Sequence, residues 1–181
     1  RVDEAMASYH KALELQPDLA EAHNNLGNAL QDHGDLEEAI IRYRQAVALA
    51  PESDLFSANL AASLRSVSFS SVDDHLYQDL ARLLERPKLP PSFMARSVIG
   101  ALRHHPDFMR ILAAAGLAAQ KTGDAYNDIA GQLSEIPLFL RMIELSPIPD
   151  LEIEQMLTHL RRLMLDETTG PQAADRLVPF T

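Results

Sequence analysis

The sequence has no cysteine and no tryptophan among its 181 residues, and aromatic side chains make up only 6%. Without cysteine the chain has no disulfide framework and no thiolate metal site, so cysteine usage leaves the compartment open. No apolar run reaches the roughly 18 residues that cross a bilayer. The net charge is −10 and the basic side chains are scattered. Phosphate contact needs clustered lysine and arginine, so a nucleic-acid-binding function is not indicated.

The composition is that of a globular protein, with 46% apolar and 23% charged residues. No segment alternates polar and apolar residues long enough to indicate a strand, so the sequence predicts an all-α fold. We expect a cytoplasmic protein without membrane insertion. The chain starts at Arg1 rather than methionine, and we interpret it as a piece of a longer protein.

The opening stretch repeats itself after 34 residues. "EAMASYHKALELQPD" aligns with "EAIIRYRQAVALAPE", and a fixed period of this length is typical of helical repeat arrays. The alignment predicts small residues where two helices cross and a proline where one helix ends. The matching pairs are Ala5 and Ala39, Tyr9 and Tyr43, Ala12 and Ala46, Leu15 and Leu49, and Pro17 and Pro51.

This pattern resembles the tetratricopeptide repeat family, which implies a helix-turn-helix solenoid. Gly27 is expected to allow close helix approach, and Gly34 to end the first helix in a left-handed conformation. Asp35 is the expected N-cap of the second helix. His23 replaces the large aromatic residue of the family, which weakens that packing layer. The residues that carry the resemblance are Leu26, Gly27, Leu30, Gly34, Leu36, Ala39, Tyr43, Ala46 and Pro51.

The same register predicts the domain organisation. Residues 1–86 form a repeat array with a partial repeat, one full repeat and a degenerate capping repeat. In this last repeat Tyr77 keeps the tyrosine position, whereas Asp73 and Leu80 occupy the small-residue positions. Ser71 is the expected cap of its second helix. The stretch "RPKLPP" marks the boundary, and residues 87–181 form a small helical bundle that is truncated at its C-terminus.

The second half carries a weaker resemblance. Its segment "IPLFLRMIELSPIPDLEIEQMLTHLRRLML" is similar to a helical region of bacterial proteins that have N-terminal tetratricopeptide repeats and a C-terminal S-adenosylmethionine-dependent methyltransferase domain. The similarity rests on a pattern of leucines and not on a chemical motif. It implies that any catalytic domain of the whole protein lies beyond residue 181.

No catalytic motif and no cofactor site appear in these residues. His104 and His105 are adjacent on a helix end, where they point apart and are expected to be solvated. Acidic pairs such as Glu37 and Glu38 lie at predicted helix starts, where the helix dipole favours negative charge. The sequence therefore predicts a segment that is not an enzyme and that binds neither metal nor cofactor.

Two asparagines, Asn25 and Asn59, lie 34 residues apart at equivalent repeat positions. In the resembled family this position faces the concave surface. In members similar to O-linked N-acetylglucosamine transferases, such asparagines hold an extended peptide by its backbone. An amide offers a donor and an acceptor side by side, which suits one peptide unit. The register places these further residues in the same groove: Glu21, Asn24, Asn28, Gln31, Asp32 and Arg65.

Three functional interpretations follow. The first is a non-catalytic scaffold that binds protein or peptide ligands in the groove. The second is the substrate-recognition arm of an enzyme, in the first place a methyltransferase and in the second a glycosyltransferase, whose catalytic domain lies beyond residue 181. The third is a homo-oligomer that forms through the ends of the solenoid, since an array that is cut leaves an unpaired face.

Overall fold

The computed structural model describes residues 1–67, 74–118, 124–145, 150–151 and 153–158. Within these residues all regular structure is α-helical, as predicted. Residues 153–158 are helical as well. The predicted cap Ser71, the residue Asp73 and the segment from His159 onward lie outside the described residues. The helices are α1 Val2–Leu15, α2 Ala20–His33, α3 Leu36–Leu49, α4 Asp54–Ser66, α5 Asp74–Leu84, α6 Pro91–Leu102, α7 Pro106–Ala118, α8 Asp124–Leu133 and α9 Pro137–Leu145.

The described chain divides into two compact units. The first contains α1 to α4 together with Arg86–Leu89, and Lys88 forms an ion pair with Asp54 at the start of α4. The second contains α5 and the later helices. Contacts thus group α5 with the later helices, whereas the sequence placed residues 1–86 in one array. The repeat boundary at residue 86 stays a prediction, since it concerns sequence pattern rather than contacts.

In the first unit, each helix packs against the next one along the chain, and α2 and α3 form the most extensive pair. The predicted repeat positions supply the core, because their apolar side chains recur on the face where two helices meet. The buried side chains at these positions are Leu26, Leu30, Ala39, Tyr43, Ala46, Leu60 and Leu64. No residue of α1 is buried, although α1 carries the same motif.

The turn between α2 and α3 has the predicted glycine. Gly34 has φ of 102°, and its N–H and that of Asp35 both donate to the Leu30 carbonyl at 2.9 Å. Both bonds satisfy the Leu30 carbonyl, one of the groups that the end of a helix leaves without partners. Asp35 precedes α3, but its side chain makes no cap hydrogen bond and instead accepts one from His33 Nδ1 at 2.8 Å. The predicted position of the cap is therefore right and its predicted hydrogen bond is wrong.

The second unit packs α6 against α5 and α9, and α7 against α8. The apolar stripe of α5 is buried, and so are Ile153, Met156 and Leu157 in the last described helix. Leu151, by contrast, is 74% exposed, because the helix only begins there. The buried members of the α5 stripe are Leu76, Leu80, Leu83 and Leu84.

His105 corrects another expectation. Its ring lies edge-on to Tyr77, with the ring centres 5.4 Å apart, and its Nδ1 accepts the backbone N–H of Phe108 at 3.3 Å. The side chain thus caps the start of α7 rather than extending into solvent, because the first N–H groups of a helix need an outside acceptor.

Candidate peptide-binding face

Three asparagine side chains connect the equivalent helices α2 and α4. Asn59 on α4 donates from Nδ2 to Asn24 Oδ1 at 2.8 Å, and Asn24 Nδ2 in turn donates to Asn25 Oδ1 at a long 3.5 Å. These two hydrogen bonds link the predicted residues Asn25 and Asn59 through Asn24. Asn25 and Asn59 lie on one surface of the first unit, where both are half-buried.

Asn24 differs from the expectation for a groove-lining residue. It is only 3% exposed, so its side chain lies below the surface on which Asn25 and Asn59 are accessible. A buried amide needs hydrogen-bond partners, and its two asparagine neighbours provide them. Asn24 therefore supports Asn25 and Asn59 from beneath and is not accessible to a ligand.

A second polar cluster lies on the same side of α2, around the ring of Tyr43. The Tyr43 hydroxyl, from α3, donates to Asn28 Oδ1 at 2.8 Å and more weakly to Gln31 Oε1 at 3.3 Å. Ser63 of α4 also donates to Gln31 Oε1, at 2.9 Å. Side chains of α2, α3 and α4 thus meet at the exposed amides of Asn28 and Gln31. The Tyr43 ring is buried in the core, and its hydroxyl contacts these surface amides.

Tyr43 and Ser63 were not predicted as parts of this site. The sequence pattern indicated only the packing role of the Tyr43 ring. A buried tyrosine hydroxyl nearly always has a hydrogen-bond partner. The amides of Asn28 and Gln31, one turn apart on the neighbouring helix, could therefore have been predicted as its partners. No such signal exists for Ser63, whose neighbour Gln31 is 32 residues away in the sequence.

The remaining predicted residues are exposed, as expected for a binding face. Glu21, Asp32 and Arg65 all have accessible side chains. Glu21 and Asp32 lie four residues to either side of Asn25 and Asn28 on α2, so helical geometry aligns the four along one stripe. The stripe thus carries a carboxylate at each end and two amides between them.

His23 lies in the first turn of α2. It is buried, and its Nε2–H donates to the backbone carbonyl of Pro17 at 2.8 Å. The sequence predicted a weaker packing layer at this position. The imidazole instead connects the start of α2 to the loop that follows α1, which an apolar aromatic ring could not do.

Burial raises the pKa of the Tyr43 hydroxyl above its ordinary value of 10.0. The Asp32 carboxylate raises this pKa further, whereas the hydrogen bond with the Ser63 hydroxyl lowers it. The unfolded chain therefore releases this proton at lower pH than the folded chain. We predict that Tyr43 stabilises the fold fully below about pH 10 and that this contribution declines at higher pH. Urea unfolding of the wild type and Tyr43→Phe should give a stability difference that changes only on the alkaline side. A constant difference would contradict the prediction.

The described residues contain no group of three histidine, aspartate or glutamate side chains that could hold a metal ion. Two acidic residues at helix starts pair with arginine instead. Glu38 accepts from Arg42 one turn later at 2.7 Å, and Asp150 pairs with Arg103 at 2.8 Å. Across the same residues, no helix combines the length and the apolar character that crossing a membrane requires.

Comparisons with known proteins agree with the repeat assignment. A family model described as TPR repeat matches residues 1–34, and one described as tetratricopeptide repeat matches residues 20–53. The Hsp70-Hsp90 organizing protein of Triticum aestivum is 26% identical over 114 residues, which cover 62% of this chain. The match covers 20% of that relative, so this chain spans only a small part of its length. The resemblance to methyltransferase-linked proteins has no support from these matches. Residues 1–53 of the chain therefore contain tetratricopeptide repeats, as the sequence pattern predicted.

Proposed function

We propose that this segment is a non-catalytic scaffold that binds the main chain of a protein partner across α2 and α4. The observation that carries this proposal is that Asn24 bonds to Asn59 at 2.8 Å and contacts Asn25 at 3.5 Å, so that the repeat-equivalent Asn25 and Asn59 lie at one surface. Their amides remain half-exposed, and an amide can pair with both the carbonyl and the N–H group of a peptide unit. The groove consists of Asn25 and Asn59 with Glu21, Asn28, Gln31, Asp32 and Arg65 around them.

The curated relative supports a partner that is a protein. Its name says that it organizes Hsp70 and Hsp90, which is an activity directed at other proteins. By this analogy we propose that the present segment brings a partner protein to a complex, in a cytoplasmic setting. The net charge of −10 and the two carboxylates of the stripe disfavour an acidic partner, because like charges repel during association.

The sequence also suggested that the groove presents a substrate to an enzyme domain elsewhere in the whole protein. This hypothesis uses the same surface and differs only in what happens to the bound protein. Self-association through the ends of the array likewise stays a prediction. Both are secondary to the scaffold, since neither has an observation of its own in the described residues.

The proposal predicts that Asn25→Ala combined with Asn59→Ala weakens peptide binding. Peptides selected from a random display library against the intact chain would be titrated by calorimetry. Each lost hydrogen bond contributes about 0.5–1.5 kcal/mol, so the double variant should bind roughly 5- to 100-fold more weakly. The melting temperature should fall as well, because the buried Asn24 loses both of its hydrogen-bond partners, so the affinities are compared well below the unfolding transition.

The matched control is Gln155→Ala, which removes an exposed amide from the second unit. It should leave both affinity and melting temperature unchanged. If the double variant binds the selected peptides as tightly as the wild type, the asparagine face is not the binding site and the proposal fails.

A further inference from the structure

The exposed amides of α2 share one orientation. Asn28 Oδ1 accepts the Tyr43 hydroxyl at 2.8 Å, and Gln31 Oε1 accepts the Ser63 hydroxyl at 2.9 Å. Asn25 Oδ1 accepts from Asn24, at the longer distance of 3.5 Å. In all three side chains the carbonyl oxygen is therefore directed toward the protein, and the NH₂ group is left for a ligand.

A side-chain amide has two N–H donors and a carbonyl oxygen with two lone pairs, and here the oxygens already accept from the protein, so the surface of α2 is mainly a donor surface. We call the NH₂ groups of Asn25, Asn28 and Gln31 the donor row. The strongest exposed acceptors beside it are the carboxylates of Glu21 and Asp32. A ligand that fits must supply carbonyl oxygens to the row and positive charge to the two carboxylates.

We infer that the donor row binds a proline-rich segment that carries lysine or arginine residues. Proline keeps its carbonyl acceptor and has no N–H donor, so such a segment matches a row of donors without leaving its own donors unpaired. Proline-rich chains are also extended before binding, which reduces the ordering cost. The basic side chains complement Glu21 and Asp32. This inference rests on the proposed function, because it names the ligand class of the same face.

Tyr43 is a positioning residue in this scheme. Its side chain is 1% exposed, so it is not accessible to a ligand. Its hydroxyl nevertheless orients Asn28 and contributes to the orientation of Gln31. Without that hydroxyl, the amide of Asn28 would be free to turn and to present its oxygen instead. The ligand preference of the surface would then be lost while its residues stayed the same.

The test titrates the intact chain with peptides of roughly twelve residues, built from repeats of Pro-Pro-Lys, Gly-Ser-Lys or Pro-Pro-Glu. We expect the Pro-Pro-Lys peptide to bind at least about tenfold more tightly than either of the others, a difference of about one well-formed hydrogen bond. Equal affinity for Pro-Pro-Lys and Gly-Ser-Lys would overturn the donor row. Absence of binding by Pro-Pro-Lys would also overturn it.

A second measurement uses Tyr43→Phe, with Tyr9→Phe as the matched control at the equivalent position of the preceding repeat. Tyr43→Phe should bring the affinity ratio of the Pro-Pro-Lys and Gly-Ser-Lys peptides close to one, whereas Tyr9→Phe should preserve it. A loss of stability alone would lower both affinities and leave their ratio unchanged. A ratio that survives Tyr43→Phe would overturn the positioning role.

The two proposals can fail separately. If display selection yields peptides without proline whose binding needs Asn25 and Asn59, the proposed function stands and the inference about proline-rich ligands is wrong. If the asparagine variant has no effect on any selected peptide, both are wrong.

Discussion

Gly27→Ala is expected to lower the free energy of unfolding, although alanine is the better helix former. A Cβ atom at this position would lie 2.7 Å from Cε1 and 2.9 Å from Cδ1 of the Tyr43 ring. The ring cannot move away easily, because it is buried and its hydroxyl is held by two amides of α2. Overpacking of this kind costs about 1–3 kcal/mol, and the gain in helix propensity is about 1 kcal/mol. We expect a net loss of up to about 2 kcal/mol, measured by urea unfolding.

Gly131→Ala is the control for the Gly27 experiment. Gly131 also lies inside a helix, but a Cβ atom there would meet nothing within 4 Å. Its substitution should therefore stabilise the protein by up to about 1 kcal/mol. In a Tyr43→Leu background, Gly27→Ala should lose most of its cost. An equal cost with and without the Tyr43 ring would show that the ring is not the cause.

Asp150→Ala is expected to destabilise the second unit by about 2–3 kcal/mol, because it removes two interactions at once. The carboxylate pairs with Arg103 through both oxygens, at 3.0 and 2.8 Å, and it also accepts the Ile153 N–H at 3.2 Å. It is 13% exposed and the guanidinium is 36% exposed, so solvent screens the pair only in part. Thermal unfolding monitored by circular dichroism would report the loss.

Two further variants separate the parts of that effect. Asp150→Asn keeps an oxygen that can cap the helix and removes the charge, so its cost should be smaller than that of the alanine variant. Asp107→Ala removes a carboxylate that pairs with Arg110 on an exposed helix surface, 3.1 Å away. Such surface pairs contribute about 0–1 kcal/mol. If Asp107→Ala and Asp150→Ala cost the same, the buried position of Asp150 has no special effect.

The fold was largely predictable because its signal is local. The period of 34 residues located Tyr43, and the resemblance to tetratricopeptide repeats located Leu26 and Gly27, without knowledge of the neighbouring helices, since each repeat reproduces the same packing. The left-handed turn at Gly34 was equally predictable, because only glycine adopts it at little cost. Helix boundaries in the second half also followed from local prolines, as α6 and α7 both begin at one.

The polar details of the site were less predictable. The register predicted Asn25 and Asn59 on one face, which stays a prediction, and it also placed Asn24 on the surface, whereas the structure buries it. Burial of Asn24 depends on how closely α4 approaches α2, which a periodic pattern does not specify. The pairing of Arg103 with Asp150 joins residues 47 apart and depends in the same way on the packing of distant helices.

The double role of Tyr43 has a consequence for how such a chain can diverge. One side chain fills the crossing beside Gly27 and also fixes the amides that a ligand would meet. A change from tyrosine to phenylalanine keeps the volume of the core, so selection for foldability alone would tolerate it. The same change alters what the surface can recognise. Related chains could therefore acquire new specificities through substitutions in the interior, with every residue of the exposed face retained.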